Sequence, residues 1–336
     1  MSLNTEAHRW WPIALADEAA DGPVALTLLE QDLVLWRDQS GQAILLADQC
    51  PHRGARLSLG LIQQNSLQCP YHGWRFNAQG ACIAIPAVPG FCPPASSAVQ
   101  RYEVCEAHGL IWTRLASSTP PLERSDQPQH TQGPPELPGL APRRLIYGPF
   151  DVATSAPRAV ENFLDTAHFA FVHAGWLGEA GQAQVPDHQV CYTNDGRPIV
   201  EDYRTWQPRA SATSLVGSWV NYRYEVLSPF SALLTKKSQD ATLVQGGEDS
   251  YVIWANPSHP EACRLWFAQY TSDLTTSEAQ LRAFQVAIFA QDQPVLESQR
   301  PKRLPLNGTE SMSAADRLSA AYRRYLTTCQ IRLGIC

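Results

Sequence analysis

Cys50-Pro51-His52-Arg53-Gly54 and Cys69-Pro70-Tyr71-His72-Gly73-Trp74 are the two stretches on which the reading of this chain turns. Each offers one thiolate and one imidazole, in the order C-x-H, then 16 residues, then C-x-x-H. Two Cys and two His carried on paired loops match a mixed-ligand [2Fe–2S] cluster, in which both thiolates bind one iron and both imidazoles the other. The plainer alternative is a Cys2His2 zinc site, since zinc accepts the same donors. Spacing argues against zinc, because fingers pair Cys with Cys and His with His, whereas here each Cys travels with a His. A glycine follows each His closely, where a backbone without Cβ brings N–H groups near bridging sulfides.

A second constellation lies in Glu161-Asn162-Phe163-Leu164-Asp165-Thr166-Ala167-His168-Phe169-Ala170-Phe171-Val172-His173, which contains D-x-x-H-x-x-x-x-H. Asn162, Asp165 and His168 are spaced by three and share a face if Pro157 to about Phe169 is helical. His173 would lie well around a regular helix, so the helix is expected to end or distort near Phe169. Two imidazoles and one carboxylate on one face of Fe(II) leave positions open for O2 and substrate. Taken alone, an H-x4-H pair is more often a set of ordinary polar residues on an amphipathic helix. A carboxylate must come from elsewhere, and Ser277 to about Arg300 reads as a helix with apolar Leu281, Phe284, Ile288, Val295 and Leu296 and with Glu278 in its first turn. On sequence grounds either Asp292 or Glu297 could ligate, and Pro294 is expected to disturb the helix between them.

With both motifs in place, the chain resembles the terminal oxygenase component of the Rieske non-heme iron oxygenases, nearly end to end. Within that superfamily it is similar to the homotrimeric vanillate O-demethylase, dicamba monooxygenase, toluenesulfonate methyl-monooxygenase and saxitoxin-pathway hydroxylases, most of all the last two. That likeness rests on Gly175-Trp176-Leu177-Gly178, Ser218-Trp219-Val220-Asn221, and a tail running Ala321-Tyr322-Arg323-Arg324-Tyr325-Leu326 to Gly334-Ile335-Cys336. The resemblance implies a [2Fe–2S] cluster on Cys50, His52, Cys69 and His72, and a mononuclear Fe(II) on His168, His173 and Asp292. It implies that Asp165 bridges His72 of one chain to His168 of the next, and that Asn162 lies close to the iron without ligating it. It also implies a homotrimer in which the cluster of one subunit serves the iron of its neighbour. The fold it implies is α+β: an all-β Rieske domain followed by a helix-grip catalytic domain, where periodicity alone says only α+β.

Composition narrows the setting. At 336 residues, with 44% hydrophobic and 17% charged, the chain suits two well-filled domains. The boundaries read as 1–116 for the Rieske-like domain, 117–144 for a linker holding seven prolines, and 145–336 for the catalytic domain. Short runs at 24–29, 32–36 and 43–47, divided by Gln31-Asp32 and Gln39–Gly41, suggest a meandering antiparallel sheet, closed by Gly109–Arg114. Further strands are expected at Ser218–Val226, Leu243–Gln245, Tyr251–Ala255 and Arg264–Thr271. A net charge of −6 gives no footprint for nucleic acid. No apolar run reaches membrane-spanning length, and Met1–Gly22 has no signal-peptide core, so nine Cys suggest a reducing cytoplasm. Seven of them, Cys82, Cys92, Cys105, Cys191, Cys263, Cys329 and Cys336, default to small apolar residues or free thiols. Ala55 and Tyr71 stand near where respiratory Rieske proteins carry a disulfide, which disfavours that subtype.

No strand–GxGxxG–helix unit and no plant-type Cys motif is evident, so NAD(P)H is expected to act only through a separate reductase, with or without a ferredoxin between. The function this implies is hydroxylation or oxidative demethylation of a small aromatic, heterocyclic or alkaloid-like substrate. Trp219, Asn221, Tyr222 and the Phe-rich 163–171 stretch are candidate pocket walls. Arene cis-dihydroxylation is the alternative, and a non-catalytic Rieske electron carrier the rival from another class, which would leave His168, His173 and Asp292 idle.

Overall fold

The computed structural model describes residues 5–116, 133–137, 139–209, 216–238 and 248–336. The chain divides into two units, Met1–Pro134 and Pro135–Cys336. Residues 243–245, expected as a strand, and most of the proline-rich stretch lie outside the described residues.

The first unit is built from antiparallel strands. Six form one sheet in the spatial order Trp11–Leu15, Leu110–Arg114, Arg101–Ala107, Ala43–Ala47, Gln31–Arg37, Val24–Leu28. Four short ones, Leu61–Gln63, Ser66–Gln68, Arg75–Phe76 and Cys82–Ala84, form a second sheet. The turn expected at Gln31-Asp32 sits instead at Leu29-Glu30, both with positive φ, and Leu28 pairs directly with Gln31. That is a two-residue type I′ hairpin, whose twist matches the flanking strands and overrides the poor fit of Leu to that conformation. Gln64-Asn65 repeats the device between the first two strands of the small sheet. Val34, Trp36, Ile44 and Leu46 of the large sheet share one apolar cluster with Leu67 and Phe76 of the small one, and Cys50 and Cys69 belong to the same cluster.

The second unit centres on seven antiparallel strands, in spatial order Arg143–Val152, Ala262–Thr271, Glu248–His259, Ser231–Ser238, Ser218–Ser228, Pro198–Gln207, Cys191–Tyr192. Among the described residues four α-helices accompany them: α1 (Ala156–Leu164), α2 (Phe169–Val172), α3 (Glu278–Ser298) and α4 (Arg317–Thr328). The architecture is α+β, as expected, with helices packed against an antiparallel sheet in the helix-grip manner. Cross-strand register stacks Tyr222, Lys236 and Asp249 in one row and Tyr224, Leu234, Tyr251, Gln269 and Leu145 in the next. A third row holds Ile253, Phe267 and Tyr147. Because side chains alternate along a strand, these rows make one continuous face, on which Tyr222, Tyr224, Tyr251, Phe267 and Tyr147 are aromatic. Among the described residues no helix is long and apolar enough to cross a membrane.

Two corrections concern helix ends. The helix expected from Pro157 to about Phe169 stops at Leu164, where Asp165 turns extended (φ −96°, ψ 142°), so Asn162, Asp165 and His168 do not share a regular helical face. The cause is the Asp165 carboxylate, which accepts the backbone N–H groups of Ala167 (3.0 Å) and His168 (3.1 Å) and so competes with continued helix. By contrast α3, opened by a capping box between Ser277 and Gln280, runs on through Pro294 to Ser298. Proline near a C-terminal end removes one donor without ending the helix.

Buried charge ties α1 to α4. Arg323 donates to Glu161 (2.6 Å) and Glu310 (2.6 Å), and Arg158 donates to Glu310 (2.6 Å). Arg323 and Glu161 keep 11% and 13% of their side-chain exposure, and burial raises the Glu161 pKa against the pull of Arg323. Breaking such a network strands an uncompensated charge. Arg323→Met is therefore expected to cost roughly 3–5 kcal/mol in urea denaturation followed by circular dichroism. Lys237→Met, which breaks the exposed pair with Glu248, is expected to cost under about 1 kcal/mol in the same measurement.

Candidate metal centres

The two Cys–His loops fold alike despite their different His spacing. In the first, Cys50 N–H donates to Ala55 O (2.8 Å) and Gly54 N–H to Cys50 O (2.8 Å); in the second, Cys69 N–H donates to Trp74 O (2.8 Å) and Gly73 N–H to Cys69 O (3.1 Å). Both glycines sit in the left-handed region, at φ +71° and +69°. A Cβ on Gly54 would meet only the Gln49 side chain at 3.5 Å. Positive φ is therefore the firmer reason for glycine there, beyond the close approach to sulfide that the sequence suggested.

The two thiols lie beside each other, and so do the two imidazoles. Cys50 and Cys69 are both buried, and burial together with the neighbouring Cys69 thiol pushes Cys50 up to about 11. The rings of His52 and His72 stand edge to face at 4.5 Å, and Trp74 stacks on His52 at 4.7 Å. His52 Nδ1 is buried with no hydrogen-bond partner, which is costly unless that nitrogen ligates. His72 is exposed, with the Tyr71 ring beside it at 3.8 Å.

In the second unit, one donor atom each from His168, His173 and Asp292 lies within 4.8 Å of the others. His168 opens α2 and His173 closes it, so one short helical turn sets the two imidazoles. Asp292 reaches them from α3, its Oδ1 3.4 Å from His168 Nε2 and 3.2 Å from His173 Nε2. The partners behind each ring fix which nitrogen faces inward. Asp165 accepts from His168 Nδ1 at 2.8 Å, and Gln291 Oε1 accepts from His173 Nδ1 at 2.7 Å. Each Nε2 is therefore the nitrogen turned toward the carboxylate oxygen, and a cation bound there would take the place of a proton on it. Asp292 Oδ1 is itself buried and without a hydrogen bond. Burial disfavours charge on His168, yet Asp165 and Asp292 outweigh it and raise its pKa to about 9, so the site draws positive charge to this point. Asp292 is held well below the usual carboxylate range: burial works against this, and the two histidines outweigh it.

The α3 residues that face the cavity are Phe284, Gln285, Ile288, Phe289, Asp292 and Leu296, the spacing of one helical stripe. Glu297 falls off that stripe and accepts from Ala153 N–H (3.2 Å) and Gln293 (2.9 Å). Asn162, Tyr222, Phe163 and Phe169 line the same cavity as the triad. Trp219 and Asn221, by strand alternation, fall on the opposite side from Tyr222 and Tyr224, and Trp219 packs against Trp206 and Arg204 instead. Phe171 is exposed, as is Val295 of α3. Sequence reasoning missed Gln291 and Lys236. Gln291 is adjacent to Asp292 and carries no motif; Lys236 sits on a strand whose facing becomes visible only from its register.

Comparisons with known proteins place the chain in a family. A family model for the Rieske [2Fe-2S] domain matches residues 9–103, and one for the vanillate O-demethylase oxygenase C-terminal domain matches residues 152–329. The chain is 33% identical over 328 residues, 95% of its length and 88% of the relative's, to methylxanthine N1-demethylase NdmA of Pseudomonas putida. The structure of NdmA from Pseudomonas putida CBB5 with caffeine superposes with a TM-score of 0.77 at 29% identity, covering 96% of this chain and 90% of that one. Dicamba monooxygenase bound to dicamba shares the fold, with a TM-score of 0.73 at 23% identity and 98% of both chains covered. Over 120 residues, 35% of this chain and 20% of the relative, it is 40% identical to oxidoreductase NdmD of Pseudomonas putida. The chain belongs to the Rieske oxygenases whose catalytic domain is of the vanillate O-demethylase type. It is an oxidoreductase with a [2Fe–2S] cluster and a mononuclear iron as cofactors, a small molecule as substrate, and a separate reductase as electron source.

The donor geometry separates the two candidate carboxylates. Asp292→Ala is expected to lose the mononuclear iron while keeping the visible spectrum of the cluster, and Glu297→Ala to keep both. Iron analysis on each purified variant, read beside its absorption spectrum, checks the pair.

Proposed function

We propose that this chain is the terminal oxygenase of a multicomponent system, hydroxylating or oxidatively demethylating a small aromatic or heterocyclic substrate. The cluster would be held by Cys50, His52, Cys69 and His72, and the iron by His168, His173 and Asp292. The observation that carries the reading is the convergence of the triad's donor atoms at the wall of an aromatic-lined cavity. When bound, the mononuclear iron supplies O2 activation and the cluster supplies electrons one at a time.

The chain's own residues do the rest. Asp165 and Gln291 hold the Nδ1 protons of the two imidazoles, keeping each Nε2 free to ligate. Phe163, Phe169, Tyr222, Tyr224, Phe267 and Phe289 exclude water and orient a flat substrate against the triad. Asn162 offers an amide to the same cavity.

In this reading the enzyme is a homotrimer, fed by a reductase with or without a ferredoxin, and it works in the cytoplasm. Asp165 accepts from His168 while a quarter of its side chain stays exposed, which leaves room for an imidazole of the partner subunit's His72. The exposure of His72 supports the same contact.

Three measurements test the proposal. The purified protein is expected to hold about three iron atoms per chain, two in the cluster and one mononuclear, where an electron carrier would hold about two. It should consume O2 with a surrogate reductase when offered aromatic methyl ethers or N-methyl heterocycles. Mixed trimers of a cluster-dead His72→Ala chain and an iron-dead His168→Ala chain are expected to recover activity that each parent lacks. No recovery, with mixing verified by mass spectrometry, would place electron flow within one chain.

A further inference from the structure

Four aromatic rings of the cluster loops form one run, and the second loop supplies three of them. Trp74 lies face to face with His52, centroids 4.7 Å apart and planes within 5° of parallel. His72 meets His52 edge to face at 4.5 Å, and Tyr71 leans on His72 at 3.8 Å. An imidazole turns about a broad, weakly preferred torsion, so its plane must be set by what touches it. At His168 and His173 a hydrogen bond to Nδ1 does this. At His52 the Nδ1 atom is buried and has no hydrogen-bond partner, and the group lying flat against the ring is Trp74. Trp74 is itself held: its carbonyl accepts from Cys69 N–H at 2.8 Å, and its side chain packs on the apolar cluster that contains Cys50 and Cys69. The contact also runs from one loop to the other. Between Cys50 and Trp74 the only cysteines are the two candidate ligands, so no disulfide joins the loops there.

We propose that Trp74 is a positioning residue for the cluster. By stacking on His52 it fixes the plane in which that imidazole offers Nδ1, and it ties the tip of the first loop to the second where no covalent link does so. This rests on the assignment of the cluster to Cys50, His52, Cys69 and His72, and it is independent of the substrate. The two histidines are then held by unlike means. His52 is half-buried against an indole carried by the opposite loop, whereas His72 stays exposed beside a ring of its own loop. Trp74→Leu would fill part of the same volume and leave the imidazole no flat surface to lie on.

The test is pulsed EPR of the dithionite-reduced holoenzyme, read through the nitrogen couplings of the two coordinating imidazoles, together with the half-life of the visible spectrum under an iron chelator. In Trp74→Leu the g-values and one imidazole coupling are expected to shift, and the cluster to be lost about tenfold faster. Trp74→Phe, which keeps a flat ring, should restore the couplings and hold the half-life within about twofold of the wild type. Phe76→Leu thins the same apolar core and is expected to leave both couplings unmoved. A purely structural role for Trp74 would make the two leucine variants behave alike. Couplings unmoved in Trp74→Leu, or moved equally in Phe76→Leu, overturn the proposal. Should Trp74→Leu hold no cluster, Trp74→Phe decides: a wild-type signal there upholds the stack, and any other result overturns it. A wild-type cluster without two imidazole couplings sinks the ligand assignment and this inference with it, whereas two couplings that ignore Trp74→Leu sink the inference alone.

Discussion

The Asp165 carboxylate does three things at once, and the catalytic unit is arranged around them. By accepting the N–H groups of Ala167 and His168 it ends α1 and starts a new turn. By accepting from His168 Nδ1 it points that imidazole's other nitrogen at the triad. Without the break, His168 and His173 would sit on one continuous helix and diverge around it, since five residues exceed one helical turn. A single side chain thus converts a helical motif into a two-imidazole site.

That arrangement holds only if α1 itself is held. The Arg323–Glu161 and Arg158–Glu310 pairs clamp α1 against α4 and the segment that carries Glu310. On its other side α1 sends Phe163 toward Tyr224 and Phe267 of the sheet. Opposite it, α3 presents one stripe from Phe284 to Leu296 with Asp292 set among apolar residues. Burial of that stripe decides which of the acids on α3 faces the histidines.

The cluster loops follow a different logic. Each closes on its own Cys through the same pair of backbone hydrogen bonds, with a glycine at positive φ at the turn. The His stands two residues after Cys in one loop and three in the other, so two near-identical backbones aim their imidazoles differently and the rings meet edge to face. Cys50 and Cys69 are built into the apolar core beneath, which anchors the thiolates while leaving His72 exposed.

The amino-acid sequence by itself singled out the two Cys–His pairs and the paired histidines as candidate donors, because C-x-H…C-x-x-H and H-x4-H are local spacings that coordination chemistry favours. It also determined the α+β class and most strands, since apolar runs bounded by turn residues are local as well. Tertiary structure decided the rest. Asp292 over Glu297 is a question of which side of α3 is buried, and Trp219 and Asn221 fell outside the cavity because register sets which face of a strand looks inward. Gln291 gained its role, and Lys236 its place on the cavity wall, only from neighbours far away in the sequence: His173 lies 118 residues from Gln291. The premature end of α1 was written in Asp165, but as a competition between side-chain and helical hydrogen bonds that spacing alone does not resolve.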